Sequence, residues 1–152
     1  MNISLDQLKK LREETSAGVS DCRQALEDAG GNFEKAKKLL MDRGIEKAAK
    51  KADREASQGI VASYIHGNGK VGVLVELRCE TDFVARTDDF KQLAHEICLQ
   101  IAAMKPKDAG ELLKSAYIRD AAVTIESLIK QTIAKVGENI TVARFTRMEL
   151  GA

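Results

Sequence analysis

The sequence predicts an α+β protein: a small helical module, a helical link, and a three-stranded antiparallel sheet packed with two helices. Three observations carry this reading. Residues 1–45 place apolar side chains at helical spacing, interrupted by small-residue breaks and without strand alternation. Residues 71–79 alternate strictly, with Val71, Val73, Val75, Leu77 and Cys79 set against Gly72, Leu74, Glu76 and Arg78, and a second apolar run precedes them across Gly67-Asn68-Gly69. Helical spacing then returns in Phe90, Leu93, Ala94, Ile97, Cys98, Ile101 and Met104, and again in Ile125, Leu128, Ile129, Ile133 and Val136. Strands grouped around one sheet with helices on it define the layered α+β class.

Taken in order, the first helix is expected to start at Ser4, with Gln7 completing a capping box and Ile3 and Leu8 spaced as a hydrophobic staple. Leu5, Leu8 and Leu11 form its apolar stripe, and Thr15-Ser16-Ala17-Gly18 breaks it. Helix two is expected to follow Ser20 as cap and to stop at Gly30-Gly31, with Cys22, Ala25, Leu26 and Ala29 inward. Asn32 should cap helix three, which buries Phe33, Ala36, Leu39 and Leu40 and is expected to end at Gly44. Residues 46–58 are alanine-rich and charged without a broad apolar stripe, and read as a solvated helical linker. The second module, 59–152, opens with the hairpin of 60–66 and 70–79. Its first long helix takes Thr87 as N-cap and ends before Pro106. A short helix around 111–116 follows, then a second long helix ending at Gly137, and a last strand over 140–150.

The chain has 152 residues, enough for one domain or for a small module plus a medium one. Its 24 Lys and Arg nearly balance 23 Asp and Glu. That balance argues against a non-specific grip on nucleic acid or on an anionic membrane. The single basic run, residues 47–54, is diluted by Asp53 and lacks interleaved aromatics for base stacking. No stretch approaches a membrane span. The first residues show no basic or apolar signal region, and a cytoplasmic protein is expected. Cys22, Cys79 and Cys98 are far apart and read as reduced core thiols. His66 and His95 lack partners at metal spacing, and no phosphate loop or nucleophile elbow occurs. Neither metal nor cofactor is expected, and a binding protein is favoured over an enzyme.

The stretch of functional interest is residues 80–86, which join the alternating strand to the first long helix. Phe83 and Val84 are costly to leave in water, and Asp82 beside them is costly to bury. Either Phe83 tucks under the sheet and Asp82 makes a turn, or the pair stands out as a contact loop on a rigid base.

Thr81-Asp82-Phe83-Val84-Ala85-Arg86 resembles the signature loop of the elongation factor Ts family. Leu11-Arg12-Glu13-Glu14-Thr15-Ser16-Ala17-Gly18-Val19-Ser20-Asp21-Cys22 resembles the start of the same family, and Val136-Gly137-Glu138-Asn139-Ile140 resembles a third motif near its end. Three motifs in family order, spread over most of the chain, make the resemblance specific. It implies a guanine-nucleotide exchange factor for elongation factor Tu in translation. The family loop enters the partner's nucleotide domain and disturbs the bound magnesium and phosphates. Asp82 and Phe83 match its central residues, framed by Thr81 and Val84. By the same match, Arg12, Gly18 and Val19 are expected to dock an N-terminal bundle, similar to the ubiquitin-associated type, on that GTPase. A homodimer is also expected. The chain departs from the family in the short link over residues 104–121, where other members carry a longer region. Two other classes remain open from the residues alone: an interaction adaptor without exchange activity, and an RNA-binding protein resting on residues 47–54.

Overall fold

A computed structural model describes residues 2–152. The element order is α1 (Leu5–Thr15), α2 (Val19–Asp28), α3 (Phe33–Ala49), β1 (Gln58–His66), β2 (Val71–Cys79), α4 (Asp82–Ala85), α5 (Asp88–Met104), α6 (Ala109–Lys114), β3 (Ala116–Tyr117), β4 (Asp120–Thr124), α7 (Ile125–Val136) and β5 (Thr141–Glu149). The predicted α+β class and the three-stranded antiparallel sheet are present, in the order β1-β2-β5.

In the helical module, Leu11, Cys22, Ala25, Leu26, Ala29, Ala36 and Leu40 form one buried cluster, with Ile3, Leu8, Phe33 and Leu39 against it. Asn32 caps α3 by accepting from the Lys35 amide at 3.0 Å. Four expectations are corrected here. Ser4 holds the N-cap position of α1 but makes no capping hydrogen bond, and Gln7 reaches across to donate to the Gly31 carbonyl. Leu5 is 72% exposed, because the two neighbouring helices are met by Leu8 and Leu11 and not by the first turn. Helix α2 begins at Val19 with Gly18 at the N-cap, earlier than a Ser20 cap would allow.

The fourth correction concerns Gly44, which does not end α3. The helix continues to Ala49, and a Cβ at Gly44 would lie 3.0 Å from the Ala134 Cβ on α7. Glycine serves close helix packing at this position. The expected linker is therefore helical only as far as Ala49, and it is not wholly solvated. Ala48 is buried in the larger cluster, and a single buried alanine leaves almost no trace in hydrophobic periodicity.

The sheet carries its apolar side toward α5, with α7 packed against α5 in turn. Val73, Val75, Leu77 and Cys79 of the central strand β2 are buried, and their cross-strand partners Tyr64, Ala62 and Ile60 on β1 and Phe145 and Val142 on β5 extend the same face. β5 pairs with β2 through a bulge: Glu76 meets Arg144 and Leu77 meets Val142, leaving Ala143 unpaired. Gly59 enters β1 at φ 148°, where a Cβ would strike the Leu77 carbonyl oxygen at 2.0 Å. Among the described residues no helix is long and apolar enough to cross a membrane.

The link between α5 and α7 holds more structure than expected. Helix α6 is capped by Asp108, and a short hairpin, β3–β4, follows it. Buried Gln100 on α5 secures this hairpin by donating to the Ala116 carbonyl at 2.8 Å and accepting from the Ile118 amide at 3.0 Å. Glu96 beside it accepts from Tyr117 Oη at 2.6 Å and from Arg119 Nε at 2.8 Å.

Candidate functional site

Residues 80–86 are not an open loop. Within them Asp82–Ala85 form a single helical turn, α4, between the end of β2 and the start of α5. Thr81 is its N-cap, with Oγ1 accepting from the Val84 amide at 3.3 Å. Thr87 closes the turn by donating to the Val84 carbonyl at 2.7 Å, and its same oxygen accepts from the Phe90 amide to cap α5. Two threonine hydroxyls thus fix both ends of a segment too short to be stable alone.

This turn sorts the four candidate residues. Val84 is buried with Ala85 against Phe90 and the β2 side chains, so it anchors the turn from below and does not face outward. Phe83, one residue earlier, is 80% exposed. Asp82 is exposed as well and accepts an ion-paired hydrogen bond from Arg86, one turn on. Of the two readings open at residues 80–86, the geometry excludes Phe83 tucked under the sheet. An aromatic ring held in water on a capped turn costs apolar exposure that the fold does nothing to relieve.

Carboxylates surround the base of the turn. Glu138, just past the C-cap of α7, accepts from the Thr81 amide at 2.9 Å and from Thr81 Oγ1 at 2.8 Å. Glu80 accepts from the Asn139 amide at 2.9 Å, and Arg54 lies 3.8 Å from Glu80. Asn139 is buried and donates its side-chain amide to the carbonyls of Ala52 and Arg54. Beneath the turn, the Cys79 thiol donates to the Thr81 carbonyl. Burial pushes this thiol above its ordinary pKa, and the charges of Glu138, Asp82 and Glu80 push the same way. The thiol is therefore a protonated packing group. All three cysteines are free and buried.

Arg12, Gly18 and Val19 lie on the other module. Arg12 is exposed in the last turn of α1, Gly18 caps α2, and Val19 is half exposed beside it. Gly18 and Val19 are chain neighbours at the start of α2, and Arg12 is on the helix before them. Gly18 also lines a cleft of about 380 Å³ between the bundle and α7, with Asp21, Lys47, Ala134 and Lys135 among its walls. No residue of the α4 turn borders that cleft. Among the described residues, no group of three or more His, Cys, Asp or Glu is placed to hold a metal. The motif over residues 136–140 contains Glu138 and Asn139, but their hydrogen bonds to the turn are not visible in sequence. A glutamate and an asparagine directly after a glycine helix stop were the available signal.

The family model described as Elongation factor TS matches residues 80–152, the part that contains the turn and its supports. Over nearly the full chain, the protein is 44% identical to elongation factor Ts of Fervidobacterium nodosum, covering 99% of this chain and 100% of that one. It is 45% identical to elongation factor Ts of Coprothermobacter proteolyticus at the same coverage. This chain belongs to the elongation factor Ts family. The third relative considered, elongation factor Ts of Thermotoga petrophila, is 43% identical and 98% covered. The alignment with elongation factor Ts of Fervidobacterium nodosum spans 196 positions, more than the 152 residues present here, so that relative carries internal residues that this chain lacks. The identity therefore holds although this chain is the shorter one.

Proposed function

We propose that this chain is a guanine-nucleotide exchange factor for elongation factor Tu, acting in the cytoplasm by binding and not by covalent chemistry. The observation that carries this reading is the exposed Phe83, held beside Asp82 on a turn capped at both ends, in a chain of the elongation factor Ts family. Phe83 serves as an apolar wedge into the partner's nucleotide domain. Asp82 brings a negative charge toward the magnesium and phosphates, where like charge and competition for donors weaken nucleotide binding. The ion pair with Arg86, one turn on, holds this carboxylate on the outer side of the turn. Exchange requires that the factor and the nucleotide weaken each other to the same degree, because coupling between two sites is reciprocal. Val84 and Thr81 contribute indirectly, by anchoring and capping the turn.

The helical bundle, of the ubiquitin-associated type, is read as the docking module, with Arg12, Gly18 and Val19 on its contact surface. The module 59–152 carries the exchange turn. Its outer sheet face leaves Val61, Ile65, Leu74 and Met148 exposed, which supports a symmetric dimer through the sheets. Light scattering that gives a monomer mass at micromolar concentration would exclude that dimer. The exchange activity is tested by loss of labelled GDP from elongation factor Tu. Accelerated release is expected, and retained binding without acceleration would favour an adaptor instead.

A further inference from the structure

The Gly137–Asn139 segment makes three hydrogen bonds to Glu80 and Thr81, the two residues that lead into the α4 turn. Resting on the exchange reading, we infer that Glu138 is a positioning residue for Phe83 and Asp82. Its carboxylate takes both donors of Thr81, the amide at 2.9 Å and the hydroxyl at 2.8 Å. A hydroxyl has one proton to give. With that proton directed at Glu138, the lone pairs of Oγ1 are left for the Val84 amide, which is the capping bond of the turn. Glu138 thus sets the polarity of the cap as well as its place.

The grip is reciprocal. Glu80, preceding Thr81, accepts from the backbone amide of Asn139, which follows Glu138. Two adjacent residues in each of two segments therefore exchange carboxylate and amide, so sliding of one segment past the other breaks both bonds. The second segment is itself fixed. Gly137 ends α7 at φ 78°. Asn139 binds the carbonyls of Ala52 and Arg54, and Lys51 donates to the Gly137 carbonyl at 3.1 Å. The exposed ring of Phe83 has no packing of its own to hold it, so its aim is inherited from this support. A displacement on the order of 1 Å in such a contact group is enough to cost a large rate factor.

The test uses the full chain with Glu138→Ala, Glu138→Gln, Thr81→Val and Asn139→Ala, assayed for GDP release from elongation factor Tu across factor concentration. Glu138→Ala is expected to lower the maximal release rate by about tenfold or more while the half-saturating concentration moves less than about threefold, the pattern of a lost activating contact with binding retained. Glu138→Gln, which can still accept from the Thr81 amide, should recover part of the rate. Thr81→Val should lower it too, and the double variant should fall well short of the product of the two losses, because both remove one interaction. Asn139→Ala separates support from folding: it should lower the melting temperature more than Glu138→Ala and the maximal rate less. In the free protein, amide exchange at Val84 should quicken in Glu138→Ala while the β2 amides keep their protection. A wild-type maximal rate in Glu138→Ala, or independent effects of Glu138 and Thr81, overturns the inference with the exchange reading intact. Wild-type protein that leaves GDP release unchanged overturns the exchange reading itself, and unchanged Val84 exchange overturns the clamp separately.

Discussion

The bundle and the sheet module bury apolar surface in different ways. The bundle closes around seven buried residues, four of which are alanine or cysteine, and completes its packing with half-buried Leu8, Phe33 and Leu39. Surface ion pairs such as Lys37–Glu14 and Arg43–Asp28 bridge its helices but add little in water. The sheet module closes around seventeen buried residues of its own and Ala48 of α3, among them Phe90, three isoleucines on α7 and Ile140 just before β5. A small core of small side chains makes a surface for presentation, close to the size at which isolated domains become marginal. A large β-branched core makes a base stiff enough to hold an aromatic ring out in water. The difference matches the two proposed tasks, docking for one and nucleotide displacement for the other.

The comparison can be broken first at Phe90, the largest fully buried side chain. Phe90→Ala is expected to cost about 3–5 kcal/mol of stability, read as a shift in the denaturant midpoint. A loss under about 1 kcal/mol, the range of surface changes, would mean that the sheet module is no stiffer than the bundle. Leu26→Ala in the bundle should cost about 2–5 kcal/mol locally. Hydrogen exchange is expected to show it as lost protection in α1–α3 with β2 unchanged, and loss of β2 protection would show that the two cores unfold as one. Gly44→Val comes next, at about 1–3 kcal/mol from overpacking. It should loosen α3 from α7 and weaken partner binding more than maximal release. The smallest stability effect belongs to Phe83→Ala, within about 1 kcal/mol, against a fall in GDP release of about tenfold or more if it is the wedge. Stopped-flow release beside a melting curve checks both numbers, and a large stability loss there would place Phe83 in the core after all.

Much of this could be read before any coordinates. Strict alternation located β2 and its buried face, Gly67-Asn68-Gly69 located the hairpin, and Asn32, Thr87 and Gly137 marked helix ends, because each signal is local and has one common cause. The misreadings share a different origin. Gly44 looked like a helix stop, but its lack of a side chain serves a neighbour ninety residues away in sequence. Ser4-Leu5-Asp6-Gln7 matches a capping box, but its glutamine donates instead to the Gly31 carbonyl in the turn between α2 and α3. The hairpin β3–β4 is too short to alternate, and it exists because Gln100 and Glu96 reach it from α5. At the turn itself, sequence could set an apolar residue beside a carboxylate but could not say that Val84 points in and Phe83 out. A single helical turn decides that, and four residues are too few to show a period.

The β3–β4 hairpin also bears on how such a chain changes length over evolution. Tyr117 and Asp120 face each other across it, with only Ile118 and Arg119 between them. Residues added at that tip would leave and re-enter the fold at neighbouring points, and the entropy of closing a loop rises by only about 0.6 kcal/mol for each doubling of its length. An inserted segment would put at risk the bonds that the tip residues Ile118 and Arg119 make to Gln100 and Glu96, but those from Gln100 to the Ala116 carbonyl and from Tyr117 to Glu96 lie below the tip and would not have to break. The hairpin is therefore a seam where the lineage can lengthen or trim the chain while the sheet, α7 and the exposed phenylalanine keep their places.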